Sequence, residues 1–309
     1  MNLDKRLLRQ TRTARFELIV TVGLGLLGGV ILVLQALFLS QIVDQVFLQG
    51  AHLTDVQALI LSLLGLAMVR AIVAWGGEVA ANRIAGRVKS HLRQQLTSHL
   101  FKLGPSYSQG ERSGELANTI TEGVEALDAY LSQYLPQLAL AALVPIIILI
   151  FVLPLDLLSG AVLLLTAPLI PFFMMLIGNA AEGLTRKQWR TLSRMSAHFL
   201  DVLQGLTTLK ILGRSRQQVH TIAQISDRFR QTTMGVLRVA FLSALVLEML
   251  ATISTAVVAV QIGLRLLYGH LDFQNAFFVL LLAPEFYLPL RLLGTRFHAG
   301  TAGMAAAQR

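Results

Sequence analysis

Three stretches of this chain, residues 18–43, 129–155 and 157–181, contain no Asp, Glu, Lys or Arg. Each meets the roughly 20 residues that a helix needs to cross a hydrocarbon core of about 30 Å. Three further apolar runs carry only a few charges: 56–79 holds Arg70 and Glu78, 239–267 holds Glu248 and Arg265, and 273–297 holds Glu285, Arg291 and Arg296. A helix buried in a water-soluble core seldom stays apolar for so long, so these read as spans too. The predicted fold class is an all-α membrane protein of six transmembrane helices, at about residues 16–43, 56–79, 133–155, 157–181, 239–267 and 273–298.

Charge is segregated around these runs. Of 26 Lys and Arg, 21 fall in the stretches 5–15, 83–112 and 186–238, while the links at 44–55, 154–156 and 268–272 carry none. Cytoplasmic flanks of membrane helices are enriched in cations, so the amino terminus is expected in the cytoplasm. A net charge of +9 also suits a nucleic-acid partner, yet the cations flank spans and lack interleaved aromatics. Only 14% of residues are charged, against about 25% in soluble domains, and the mean hydropathy is +0.64. Bilayer orientation accounts for the cations better. The chain has no cysteine, which excludes disulfides, thiol chemistry and thiolate-bound metals. Lys5, Arg6, Arg9, Arg12 and Arg15 ahead of an apolar run have the look of a secretory signal, but the run continues to Val43, well past the roughly 7–15 residues of a signal core. It is expected to remain as the first span.

The basic segments are too long and too regular for ordinary loops. About 50 residues separate spans two and three, and a similar number separates four and five. From 82 to 103 there is no proline and one glycine, Gly86, while Ile84, Val88, Leu92, Leu96 and Leu100 recur at helical spacing. Within 184–212, Leu192, Met195, Phe199, Val202, Leu203 and Leu206 do the same. A helix over 56–103 is roughly 70 Å long and leaves about 40 Å beyond the hydrocarbon core. Two helical projections into the cytoplasm, about 80–132 and 182–238, are therefore predicted. The first reverses at Gly104-Pro105-Ser106-Tyr107-Ser108-Gln109-Gly110, a glycine and proline turn. Ser113, Gly114, Glu115 and Leu116 then suit a helix start, with a cap and an early carboxylate. The second carries Gly205-Leu206-Thr207-Thr208-Leu209-Lys210-Ile211-Leu212-Gly213-Arg214, a short apolar and basic segment between glycines.

With six spans, two long projections, Gly114-Glu115-Leu116 at one tip and Gly205 to Arg214 near the other, the chain resembles the transmembrane domain of exporter-type ABC transporters. In that family the tips are coupling helices seated in clefts of ATP-binding domains. The resemblance thus implies a coupling role for Gly114, Glu115 and Leu116, and for Thr208, Leu209, Lys210, Gly213 and Arg214. Four further blocks narrow it: Glu122-Gly123-Val124-Glu125-Ala126-Leu127-Asp128-Ala129-Tyr130 followed by Tyr134-Leu135-Pro136-Gln137; Thr166-Ala167-Pro168-Leu169-Ile170-Pro171; His198-Phe199-Leu200-Asp201; and Leu282-Ala283-Pro284-Glu285-Phe286 with Pro289-Leu290-Arg291. Together they look like the CydD branch of the heterodimeric CydDC cysteine/glutathione exporters.

That resemblance implies the membrane half of an exporter in the bacterial inner membrane, paired with a homologous CydC-like half. It implies movement of a small anionic thiol to the periplasm in support of cytochrome bd assembly. Haem transport or handling is an alternative, as is another cargo such as lipid, peptide or drug. One departure is large: no Gly-x-x-x-x-Gly-Lys-Ser/Thr phosphate loop occurs in the chain. ATP hydrolysis is not expected of this chain alone, and ATP with magnesium belongs to a nucleotide-binding domain. That domain is either cut from this chain or a separate polypeptide. The last residues resemble the start of a linker, which favours the first.

The intramembrane charges are the candidates for a substrate cavity: Arg70, Glu78, Glu248, Glu285, Arg291 and Arg296. A charge at bilayer depth costs at least a few kcal/mol, so it faces a wet cavity or pairs with a neighbour. Arginines lining an inward-facing cavity attract an anionic thiol or a haem propionate. The bland alternative is that Arg291 and Arg296 sit at the cytoplasmic interface and that a glutamate neutralises Arg70; Arg70 and Glu78 are eight apart and share one face. His298, at the end of span six, is a candidate haem ligand without an evident second ligand, and the other histidines are expected to be solvated or satisfied by packing. Pro284 and Pro289 suit either gating or packing shape. A membrane-embedded enzyme needs a polar catalytic constellation, which is missing from the sequence, and a passive channel or scaffold has no need of such long projections.

Overall fold

The computed structural model describes residues 15–104 and 119–307. Among them the order is α1 (Arg15–Phe47), α2 (Leu53–Leu103), two π-helical turns at Thr119–Gly123 and Tyr130–Tyr134, α3 (Leu135–Leu155), α4 (Leu157–Thr166), α5 (Leu169–Gln204), α6 (Leu206–Ile211), α7 (Ser215–Leu267) and α8 (Phe273–Ala307). No strand occurs among the described residues. Six helical stretches among the described residues are long and apolar enough to cross a membrane, and the chain is a multi-pass membrane protein.

Helix α2 shows why the chain suits lipid on one stretch and protein contact on the next. Leu61, Leu64, Met68, Ile72 and Trp75 stand exposed at spacings of three and four residues, one continuous apolar stripe. In water such a stripe is an aggregation surface; in hydrocarbon it is solvated. Further along, the pattern inverts. Ala80, Ala81, Ile84, Ala85 and Val88 are buried, and the helix runs on unbroken to Leu103. Gly104 ends it with φ of 78°, a left-handed backbone that glycine adopts without strain.

Prolines divide the fourth apolar run. Pro168 has no N–H and its ring crowds the preceding turn, so the expected span at 157–181 is two helices, α4 and α5, separated at Ala167 and Pro168. The helical pattern over 184–212 is likewise interrupted. α5 stops at Gln204, Gly205 takes φ −88° and ψ 7°, and α6 restarts at Leu206.

Two compact units emerge. One contains α1 to α4, the two π turns, α8 and α7 from residue 250; the other is residues 171–249. In the first, α1 packs on α2 and α3, α8 packs on α3 and α1, and the Tyr130–Tyr134 turn lies against α2, α3 and α8. Its core includes Ile84, Leu131, Ile148, Val258, Leu282, Ala283 and Phe286, all fully buried. Glycines set the closest approaches. A Cβ on Gly25 would stand 2.5 Å from Leu140 Cδ2, and one on Gly29 3.6 Å from Val144, so a small-residue face of α1 meets α3. In the second unit, Gln188 of α5 donates to Thr233 Oγ1 of α7 at 3.1 Å.

The least yielding glycine contacts lie at the far end of α8. A Cβ on Gly300 would meet the Tyr134 ring at 2.7 Å, and one on Gly303 would meet Tyr130 Cβ at 2.6 Å and the Ala126 carbonyl at 3.3 Å. A Cβ cannot rotate aside as the tip of Leu140 can. Gly303→Ala is therefore expected to lower stability by about 1–3 kcal/mol, seen as a lower unfolding temperature in detergent, while Gly25→Ala has a smaller effect. Equal melting of G303A and the parent protein would contradict this packing.

Candidate substrate cavity and coupling tips

The second tip is built by two glycines. Between Gly205 and Gly213 the chain makes the single helical turn of α6, and Gly213 reverses it at φ 67°. The Leu212 N–H bonds Thr208 O at 3.0 Å, Gly213 N–H bonds Lys210 O at 3.2 Å, and Arg214 N–H bonds Leu209 O at 2.9 Å. These bonds occupy carbonyls that a helix end otherwise leaves open. Leu206, Ile211 and Leu212 are exposed by half or more; Thr208, Lys210 and Arg214 are exposed too, while Leu209 is half-buried. The tip thus exposes apolar side chains next to Lys210 and Arg214. Gly114, Glu115 and Leu116, the candidates at the first tip, lie outside the described residues.

Two of the intramembrane arginines reach neutral amides within their own unit. Arg70 reaches from α2 to α1, where its guanidinium donates to Gln35 Oε1 at 3.2 Å. That partner is a neutral amide rather than Glu78, which is exposed on the same helix. Glu285 and Arg291 are half-buried on α8, and Glu248 is exposed on α7 within the unit 171–249. The side chain of His298 lies outside the described residues.

Arg296 is the best-defined of the group. It is half-buried on α8 and donates to Gln137 Oε1 at 2.8 Å, with a longer contact of 3.5 Å to the Gln133 carbonyl. Gln137 is buried on α3, and its Nε2 donates back to the Pro289 carbonyl at 2.8 Å. The amide is thereby held at both ends, and it orients the guanidinium. Among the described residues, the partners of Arg296 are neutral oxygens. Sequence reasoning did not single out Gln137 as a site residue; its signal was an amide inside a charge-free run.

A second polar cluster went unforeseen. Asp156, in the link between α3 and α4, caps α4 by accepting from the Leu158 N–H at 3.3 Å. Its Oδ2 also accepts from Ser159 Oγ, and Ser159 Oγ in turn accepts from Gln261 Nε2 of α7. Arg265, one helical turn beyond Gln261, donates to Asp156 Oδ1 at 2.6 Å. The carboxylate is 3% exposed. Burial opposes its charge, but the bonds from Ser159 and Arg265 outweigh that, and the Asp156 carboxyl sits below the usual aspartate range. The pair ties the α3–α4 link to the end of α7. The signal for it was an aspartate between two charge-free runs and an arginine beside a link that lacks cations.

Comparison with known proteins agrees with this architecture. Residues 18–288 match the family described as ABC transporter transmembrane region. The chain is 38% identical, over 99% of its length, to the Haemophilus influenzae glutathione/L-cysteine transport system ATP-binding/permease protein CydD, and covers 53% of that protein. It is 38% identical to the Escherichia coli protein of the same name over 92% of its length, covering 50% of it. It is 34% identical to the Bacillus subtilis glutathione/L-cysteine transport system ATP-binding/permease protein CydC over 98% of its length, covering 53% of it. The chain therefore spans about half the length of the curated relatives it matches.

The Asp156–Arg265 pair makes a direct prediction. Removing one partner of a buried pair leaves the other uncompensated, so Asp156→Asn is expected to cost about 2 kcal/mol, with Asp156→Asn/Arg265→Gln costing less than the two single changes summed. The sign of the pH dependence follows from the lowered folded-state pKa. The contribution is fully present above the unfolded value of about 3.9 and is lost as pH falls through the folded value. Thermal melts in detergent between neutral and acidic pH, with parent and D156N compared, measure both effects. Parallel acid profiles for the two proteins would refute the assignment.

Proposed function

The chain belongs to the family of ABC transporter transmembrane regions, and from that premise we propose that it is the membrane-spanning half of an ATP-driven exporter of a small anionic thiol, cysteine or glutathione. The cargo class rests on the printed functions of the relatives at 34–38% identity, together with the chemistry of one side chain. Arg296 carries the reading on this chain itself. Arg296 stands at the end of the sixth span, where a half-buried guanidinium is costly without compensation, and among the described residues its partners are an amide and a carbonyl oxygen. No carboxylate among the described residues pairs with it, which leaves its positive charge for an anion. Its planar fork suits a carboxylate, and Gln137, fixed by the Pro289 carbonyl, pre-orients it.

The rest of the cycle follows from the helices. ATP-binding domains, contributed by sequence outside the matched region or by another polypeptide, engage the two tips from the cytoplasm. The amino terminus lies on that same side, a reading that the cation-poor links support. A homologous half completes the cavity. Closure of the ATP-binding domains displaces the tips, and helices that continue into the bilayer carry the displacement to the cavity as rigid levers.

Inverted membrane vesicles containing the complete transporter test both cargo and site. ATP-dependent, saturable uptake of labelled glutathione or cysteine is expected. Arg296→Gln is expected to raise the thiol KM about tenfold, the worth of one charge-assisted hydrogen bond of the weaker sort, with Arg296→Lys in between. Uptake of haem and of neither thiol would overturn the cargo. A KM unchanged in R296Q would overturn the site.

A further inference from the structure

The segment that enters the third span is not an ordinary helix. π-helical turns at Thr119–Gly123 and Tyr130–Tyr134 flank an irregular stretch in which the Ala126 N–H bonds Glu122 O at 2.9 Å and the Leu127 N–H bonds Val124 O at 3.2 Å. π turns are rare and concentrate at working sites. Two so close together form a soft joint in what otherwise serves as a lever.

Yet this joint is gripped. Lys89 of α2 places Nζ 2.7 Å from Glu125 Oε1 and 2.5 Å from Asp128 Oδ1, so one ammonium bridges carboxylates on both sides of Leu127. Arg93, one turn on, adds a 2.7 Å contact to Glu125 Oε2. The Glu125 carboxyl is held below the usual range, first by the hydrogen bond from Lys89 and then by that from Arg93. The Lys89 side chain is only 14% exposed, so its pairs are less screened than those of a free surface lysine. Beneath the ions, Ile84, Ala85 and Val88 of α2 and Val124, Leu127 and Leu131 of the segment are buried. On the other side, Gly300 and Gly303 seat Tyr134 and Tyr130. Arg87 pairs with Glu17, which ties the same stretch of α2 to α1.

We propose that Lys89 is a positioning residue for transport: its bridge to Glu125 and Asp128 locks residues 119–134 to α2, so that movement of the first tip reaches the third span instead of being absorbed in the π turns. The proposal rests on the exporter reading above. Arg93 is secondary, because it touches a single carboxylate. A charge on the α2 face that merely kept the protein soluble would have no need of withdrawal from water or of two acceptors across a break.

The test uses the complete transporter with spin labels at Gln94 on α2 and Glu122 in the first π turn, both exposed. Electron-spin distance measurements are compared between the nucleotide-free state and the ATP–vanadate-trapped state. One narrow distance, the same in both states, is expected. Lys89→Met broadens it and Lys89→Arg restores it. In the same preparations K89M continues to hydrolyse ATP while thiol moved per ATP falls several-fold, and K89R recovers coupling. Where K89M fails to assemble, Glu125→Gln/Asp128→Asn removes the same bridge from the other side and is expected to behave alike. A parent distance that changes between the two states overturns the joint, as does a bridge-less variant with unaltered distance and coupling. The distance measurement does not depend on cargo, so absence of thiol transport with the distances as expected overturns the cargo alone.

Discussion

In hydrocarbon a backbone N–H or C=O finds no partner except within its own helix, and everything else in this chain follows from that constraint. It makes the spans helical, and it makes polar side chains rare and consequential. Those described inside or beside the spans mostly join one element to another: Arg70 joins α2 to Gln35 of α1, Arg296 joins α8 to Gln137 of α3, Tyr287 of α8 meets Thr166 of α4 at 2.6 Å, and Arg265 joins α7 to Asp156. Lipid tails are as apolar as leucine, so burial of apolar surface does little to hold one span against another. Close approach at Gly25 and Gly29 and these few polar bonds do more of that work.

The same constraint explains how α2 changes partner without changing conformation. Its backbone bonds are internal along its whole length, so the helix is indifferent to what surrounds it. The side chains alone decide, and they pass from a lipid-facing stripe at Leu61 to Trp75 to a small-residue face at Ala80 to Val88. Alanines there allow α2 to lie close to the segment 119–134, and Lys89 reaches the carboxylates from just beyond that face.

The spans were legible because absence of charge over 20 or more residues has few other causes, and the ends of α2 and α6 were legible because glycine marks left-handed backbone at Gly104 and Gly213. Other features depend on partners far away in sequence. Nothing local to Arg70 points to Gln35, and proximity to Glu78 pointed elsewhere. Asp156 and Arg265 are 109 residues apart. The π turns left no trace at all, since an inserted residue shifts the apolar period only briefly and the ion pairs that brace them come from α2. Pro168 stands in plain view in the sequence, but whether a proline bends a membrane helix or divides it depends on how neighbours satisfy the freed carbonyls.

Arg296 and the braced joint share one framework. Gln137, which orients Arg296, lies three residues beyond Tyr134, and Tyr134 is seated by Gly300, one turn beyond Arg296 on α8. A displacement of residues 119–134 against α8 therefore shifts the amide that aims the guanidinium. In the proposed exporter this gives the coupling a physical carrier: the state of the tips alters the geometry of the anion site through two turns of α3 and α8. Linkage then requires the reverse. An anion that binds Arg296 better in one arrangement must favour that arrangement at the tips, by the same free energy, and so must bias the ATP-binding domains that engage them.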